Sequence, residues 1–339
     1  MSAFKFSFGG DDIEEDQVPT QAAEKGTLRR PSNTAFPVSG QALLPAQRHD
    51  LEDLLSLLPS KISYSTLTIE LDDGTLMRIP RRELWDVRVQ LMAEDDEVGL
   101  SSLGNDDIKT GVYEGGFKSW ESSVDLVKVL AARRISSQGA SVLELGCGTA
   151  LPSLALFQWQ LSRIPDAKLH LIFADYNPTV LQLVTVPNIL LTWAQCTSNA
   201  PWDAEGELEI DAQLLQTFRE TLSRHRISLS FLSGAWGPDF VQQYISLPKE
   251  EGSKSSLLAL AAETIYSPMA LKTFAETLMA ILATDLTGHQ SALVAAKKVY
   301  FGVGGSIEDF CDAIRARKGK VAQVREESDG VRRAVVEVL

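Results

Sequence analysis

Gly146-Cys-Gly148 closes the apolar run Val142-Leu-Glu-Leu145 and opens a helical stretch. Glycine in such a turn lets the backbone approach a ligand closely and take dihedrals that side chains forbid. A dinucleotide fingerprint carries a third glycine where this chain has Ala150 and Leu151, so the pair alone is equally what a tight turn requires. Asp175 ends the next β-rich run. A carboxylate at that tip can accept both hydroxyls of a ribose, although an acid ahead of Asn177-Pro178 also starts an ordinary turn. Taken together, glycines at one strand tip and an acid at the next describe one nucleoside site, with Tyr176 and Asn177 at its border.

The elements that must hold these tips follow from periodicity. Residues 113–339 alternate short β-rich runs with helical stretches, the pattern of an α/β domain on a mostly parallel sheet. Strands are expected at 141–145, 168–174, 227–232, 257–262 and 291–296. Helices are expected at 120–134, 151–161, from Pro178 with an interruption at Pro187, and at 270–286. In the first helix Val124, Leu126, Val127 and Leu130 face inward. Ile210, Leu214, Phe218 and Leu222 recur every four residues, which predicts a helix over 203–226. The chain end departs from the pattern, since 320–326 and 331–338 enclose Ser328-Asp-Gly330 as an antiparallel hairpin.

Ahead of this domain, residues 46–112 read as a small extension. Leu51, Leu54, Leu55 and Leu58 form a helical face ended by Pro59, and runs 65–71 and 75–79 flank Asp72-Asp-Gly74 as a hairpin. An acidic loop, 94–107, follows. Residues 1–45 mix acids with Pro, Ser, Gly and Gln without a sustained period, so a disordered tail is expected there. Within it Phe4, Phe6 and Phe8 alternate as in a short strand or a docking motif.

Composition excludes several function classes. Against 45 Asp and Glu stand 32 Lys and Arg over 339 residues, a formal charge of −13. Such a surface disfavours general binding to nucleic acid or anionic membranes and suits a basic partner. Cys147, Cys196 and Cys311 are odd in number and far apart, and His49, His170, His225 and His289 are equally scattered. Neither a disulfide framework nor a metal site is expected from them. No apolar run reaches the roughly 18–20 residues of a membrane span, and the N-terminus runs into acids rather than a secretory signal, so an intracellular protein is expected.

Glu144-Leu-Gly-Cys-Gly-Thr149, Asp175 and the terminal hairpin resemble the seven-β-strand, class I S-adenosylmethionine-dependent methyltransferases. The implied fold is an α/β, doubly wound, mostly parallel seven-stranded sheet ending in an antiparallel hairpin. More narrowly, Glu114-Gly-Gly-Phe-Lys-Ser-Trp-Glu121, Asp175-Tyr-Asn177, Ser233-Gly-Ala-Trp236, Glu263-Thr-Ile-Tyr266 and Tyr300-Phe-Gly-Val-Gly-Gly305 together resemble the eukaryotic protein-histidine N-methyltransferases that modify a large-subunit ribosomal protein. The likeness spans about residues 110–339 with its motifs in order. It implies S-adenosyl-L-methionine as cofactor, a basic ribosomal protein as substrate, no direct nucleic-acid specificity, and residence in cytoplasm and nucleus.

Carried over residue by residue, the resemblance implies that Trp120 and Glu121 line the cofactor pocket and that Gly146 and Gly148 let the methionine moiety lie against backbone. Glu144 would order the loop or face the sulfonium end, Asp175 would hold the ribose, and Ala235 and Trp236 would edge the adenine. Ala235 stands where the family commonly has an acid, and Trp236 equally suits a core indole. Ala262 and the residues after it would border the transferred methyl. Methylation is an in-line displacement at that methyl, so the protein's task is alignment and exclusion of water. An imidazole with a pKa near 6.5 already offers a lone pair at neutral pH, and what remains is control of its tautomer. Glu263 is the first candidate to accept the other ring N–H, Glu121 the second, and Tyr266 could position the ring. Glu263 could instead hold a backbone amide or the cofactor.

Two rivals share the motifs. A protein-lysine methyltransferase would use the same strand-tip acid, and a non-catalytic relative would keep the fold as an acidic platform. The Asn-Pro-Pro-aromatic motif of base methylation is absent, since Glu263-Thr-Ile-Tyr266 occupies its place.

Overall fold

The computed structural model describes residues 43–93, 116–133, 140–163, 168–248, 256–284, 288–300 and 304–339. In chain order the strands are β1 (Gln47–His49), β2 (Lys61–Glu70), β3 (Leu76–Arg82), β4 (Ala140–Leu145), β5 (Leu169–Asp175), β6 (Glu205–Glu209), β7 (Ile227–Ser233), β8 (Ser256–Ala262), β9 (Gln290–Lys297), β10 (Val321–Glu327) and β11 (Arg333–Val338). The Phe4/Phe6/Phe8 alternation, tail residues 1–42 and the acidic loop 94–107 lie outside the described residues.

Short runs of Val, Leu, Ile, Phe and Ala give the main sheet, whose order is β1-β7-β5-β4-β8-β9-β11-β10. β7, β5, β4, β8 and β9 are parallel, and β11 and β10 close the sheet antiparallel. Side chains alternate across it. Val142, Leu171 and Phe173 pack beneath helices Glu121–Ala132, Leu151–Leu161 and Val186–Thr197, while Leu143, Leu145 and Ile172 pack against helices Pro238–Ile245, Pro268–Leu282 and Ile307–Ala316. Burial on both faces explains why these strands read as continuous apolar runs. The chain winds outward from β4 through β5 and β7, then crosses to the other side with β8 and β9. That reversal opens a crevice beyond the carboxyl ends of the strands, where open α/β sheets place their ligands.

The expected α/β architecture is therefore present, with one strand more than the seven expected. β1 pairs antiparallel with β7 at the sheet edge, with His49 Nε2 2.7 Å from Ser233 Oγ. Its three residues carry no apolar alternation, and backbone pairing alone recruits them. Leu43, Leu44 and Pro45, expected in the tail, belong to the ordered chain. Leu44 N–H donates to the Tyr176 hydroxyl (3.1 Å), and the Leu44 carbonyl accepts from Ala235 N–H (3.0 Å).

Residues 203–226 also differ from expectation. Glu205–Glu209 is a strand that pairs antiparallel with β2, completing a three-stranded sheet β3-β2-β6, and the helix begins only at Ala212 after Asp211 caps it. Ile210 lies just past this strand, its N–H donating to Ser60 O at 2.7 Å, so it fits the four-residue repeat by coincidence. The interruption expected at Pro187 is a π-helical turn, Leu181–Thr185, which leads without a break into helix Val186–Thr197 and puts Pro187 in its first turn.

Helix Glu121–Ala132 is clamped to the terminal hairpin by Arg333, whose Nε donates to Asp125 Oδ2 at 2.7 Å, the side chains being 11% and 4% exposed. Arg133 and Glu337 make a more solvated pair between the same elements. Replacing Arg333 by Leu leaves the Asp125 charge buried and unpartnered, and is expected to cost about 3–5 kcal/mol in urea unfolding. Arg133→Ala is expected to cost under about 1 kcal/mol. Equal losses would show that burial does not set the strength of the Arg333 clamp.

Candidate active site

The turn after β4 is built from residues that tolerate left-handed backbone. Gly146 and Gly148 have φ of +65° and +49°, and Ala150, which caps helix Leu151–Leu161, has +58°. A Cβ at Gly148 would press within 3.1 Å of the Gly116 backbone, and one at Gly146 within 2.9 Å of the Thr264 methyl. Glycine is required here for close packing of three segments as well as for its dihedrals.

Buried polar groups fix the turn. Asp175 Oδ2 accepts from Gly148 N–H at 3.0 Å and Oδ1 from Asn177 N–H at 3.2 Å. Thr185 Oγ1 donates to the Gly148 carbonyl, Asn188 Nδ2 donates to the Thr149 carbonyl, and Cys147 N–H donates to Ala174 O. Glu144 points away from the crevice, and its Oε2 accepts from Ser153 N–H in the first turn of helix Leu151–Leu161. Burial pushes Asp175 up to about 6. Burial, with a smaller repulsion from the Asp175 charge, pushes Glu144 up to about 8 despite the helix amide.

These elements surround a cleft of about 630 Å3 counted out to its open mouth. Its floor is the Gly146–Gly148 turn. One wall carries Asp175, Tyr176 and Trp236, another Gly116, Lys118, Trp120 and Ser123, and the third Ala262, Glu263, Thr264 and Tyr266. Trp236 both lines the cleft and packs on Phe274 (5.2 Å between ring centroids), so the core and site roles coincide.

Of the residues expected at the site, Trp120, Gly146, Gly148, Asp175, Tyr176, Trp236, Ala262, Glu263 and Tyr266 converge on the cleft. Four do not line it. Glu121 is exposed at the first position of its helix, because Trp120, as the cap, takes the inward direction. Glu144 is used by the helix amide. Asn177 is buried behind Asp175, with its Nδ2 lacking a hydrogen-bond partner. Ala235 packs against the apolar core, its N–H held by Leu44. Glu114, Gly115 and 301–303 of the expected motifs lie outside the described residues.

Glu263 has a left-handed φ of +57°, an uncommon state for a side-chain-bearing residue. Its Oε1 accepts from Ser122 Oγ and its Oε2 from the Tyr300 hydroxyl at 2.6 Å. Burial raises its pKa, opposed by these two hydrogen bonds and by the Lys297 charge. Lys297 Nζ lies 5.2 Å from the Trp120 ring centroid and 5.8 Å from that of Tyr300. Sequence reasoning did not find Ser122, Lys297 or Tyr300 as site residues. Ser122 carries no motif signal, being one serine in the first turn of an amphipathic helix, whereas Lys297 and Tyr300 stand in the run 297–305, whose glycines suggest a mobile substrate-facing loop but give neither side chain a role.

The cleft fits S-adenosylmethionine. Asp175 has about four lone-pair sites, and the backbone N–H groups that act on it, of Gly148, Asn177 and Tyr176, leave acceptor capacity for the ribose hydroxyls. Trp236 and Tyr176 supply aromatic walls, the glycine turn admits a chain against backbone, and buried Thr264 Oγ1 at the cleft has no protein partner. Among the described residues no group of three His, Cys, Asp or Glu could hold a metal ion, and no helix is long and apolar enough to cross a membrane.

No family model matches the chain. Histidine protein methyltransferase 1 of Saccharomyces cerevisiae is 36% identical, over 91% of this chain and 89% of that protein. Its Schizosaccharomyces pombe namesake is 34% identical over 91% and 85%. The Bos taurus homolog is 27% identical over 96% and 81%. Identity of this extent over nine-tenths of the chain shows the family, and the chain belongs to the histidine protein methyltransferase 1 family.

Proposed function

We propose that the histidine methylated by this enzyme lies in a basic large-subunit ribosomal protein, and that Glu263 aims its imidazole at the cofactor. The observation that carries the site assignment is the Glu263 carboxylate, held at the tip of β8 in a cleft whose floor is the glycine turn. Bound S-adenosylmethionine supplies an electrophilic methyl, whose bond to sulfur breaks, leaving the electron pair on sulfur, as the bond to nitrogen forms. Everything else is positioning. Asp175 would accept the ribose hydroxyls and so fix the cofactor in the cleft. Glu263 has two donors already and retains lone pairs for the ring N–H opposite the attacking nitrogen. The imidazole gains positive charge as it reacts, and a carboxylate at that N–H stabilises the charge while the walls exclude water. Tyr266 borders the ring.

The ribosomal substrate is supported by the motif resemblance and by charge. A chain of net charge −13 attracts a basic protein over roughly a Debye length. Ribosomal proteins are made in the cytoplasm and assembled in the nucleus, so the enzyme would work in both.

Three outcomes are expected. Ionised Asp175 has both oxygens free of a proton to accept the hydroxyls, and burial pushes its pKa up to about 6, so S-adenosylmethionine affinity should weaken as pH falls through that value. Titration calorimetry should show this dependence flattened in Asp175→Asn, and an unchanged slope would remove Asp175 from the ribose. Glu263→Gln should bind the cofactor normally yet transfer methyl at least about tenfold more slowly; a wild-type rate would sink the tautomer role. Incubation with labelled cofactor and ribosomal proteins from cells lacking the enzyme should place label on a histidine of a large-subunit protein by mass spectrometry. Label confined to non-ribosomal proteins, or on lysine, would refute the substrate.

A further inference from the structure

Glu263 does not hold its own position. Its backbone is in the left-handed region, and both carboxylate oxygens are engaged by side chains from other elements: Ser122 in the first turn of helix Glu121–Ala132, and Tyr300 just beyond β9. The Tyr300 hydroxyl also accepts from Lys297 N–H at 3.3 Å, so its proton is directed at the carboxylate. Burial, reinforced by the neighbouring Glu263 charge, holds the Tyr300 phenol well above its ordinary range, which keeps it a donor.

Tyr300 is itself placed by backbone. Val299 and Ser306 form an antiparallel bridge, Tyr300 N–H donates to Gly305 O at 2.9 Å, and Gly304 N–H returns to Tyr300 O at 3.1 Å. Gly305 N–H then donates to Tyr266 O, and a Cβ on Gly305 would collide with the Ile265 carbonyl. Tyr300 and Gly305 are thus docked, backbone to backbone, on the same strand tip that carries Glu263 and Tyr266. Only glycine at 305 allows that approach.

We infer that Tyr300, with Ser122 as the opposing jaw, is a positioning residue that holds the Glu263 carboxylate in one orientation at the cleft. This rests on the role assigned to Glu263 above. Without the phenol hydroxyl, Glu263 loses a donor to its charged form and one of two restraints on its rotamer, while the ring still fills its place in the core. The other charged groups acting on Glu263 are Lys297 from β9 and Glu121 from the helix, and Lys118 and Asp175 line the same cleft. All four are left unchanged by Tyr300→Phe.

The test compares wild type, Tyr300→Phe, Ser122→Ala and Glu263→Gln, using labelled S-adenosylmethionine and total soluble protein from cells lacking the enzyme, with label scored on histidine. Rates are taken between about pH 6 and pH 8 as the ratio of variant to wild type, which cancels ionisation of the substrate imidazole and of Asp175. Tyr300→Phe should bind cofactor within about twofold of wild type and transfer methyl about tenfold more slowly, with the deficit larger on the acid side because Glu263 has lost a donor to its charged form. Ser122→Ala should show the same trend. In the Glu263→Gln background, where there is no carboxylate to hold, Tyr300→Phe should add little further loss. Wild-type behaviour in Tyr300→Phe with Glu263→Gln impaired, or a Tyr300→Phe deficit undiminished in the Glu263→Gln background, would overturn the positioning role alone. Wild-type transfer by Glu263→Gln would instead overturn the role of Glu263 and this inference with it.

Discussion

The hydrogen bond from Gly148 N–H to the buried carboxylate of Asp175 joins the tips of β4 and β5, and the cleft exists because those tips are joined. A turn with left-handed backbone at 146, 148 and 150 has few intrinsic reasons to hold one shape. It is pinned by Asp175 from β5, by Thr185 and Asn188 from the helix beyond, and by the Ala174 carbonyl. The π-turn at Leu181–Thr185 belongs to the same constraint, since Thr185 reaches the Gly148 carbonyl from its last position.

Such a network has an electrostatic cost. Two carboxylates, Glu144 and Asp175, are withdrawn from water close to one another, and both are pushed up as a result. They are kept because each accepts backbone N–H groups that would otherwise be buried without a partner. The two tasks then separate. Glu144 spends its acceptor on the amide of helix Leu151–Leu161 and supports the turn from behind, whereas Asp175 keeps lone pairs facing the cleft.

The opposite wall is organised differently. Glu263 sits at the end of β8, but the side chains that fix it come from the helix before β4 and the segment after β9, so the wall is assembled from chain positions 141 and 37 residues away. Lys297 over Trp120 ties the same two elements together. The Glu263 carboxylate is thereby held by three parts of the chain that only the completed sheet brings into register.

What the sequence determined by itself was whatever local pattern encodes: apolar runs for the buried strands, the glycine pair with an acid at the next tip, the terminal hairpin turn, and the family resemblance that the relatives bear out. Those signals are short-range, because backbone dihedrals and burial period are properties of consecutive residues. Pairing partners are not. β1 was missed because a three-residue edge strand needs only a free ladder on β7, and β6 was read as helix because Ile210, just past it, fits the helical repeat, while only pairing with β2 makes Glu205–Glu209 a strand. The direction of a side chain at a helix start was likewise undecidable locally, so Glu121 and Trp120 looked equivalent although only Trp120 faces the cleft. Tertiary structure alone decided that Glu144 serves a helix, that Ala235 is held by Leu44, and that Ser122 and Tyr300 meet at Glu263, because each is a contact between segments whose sequences contain no record of one another.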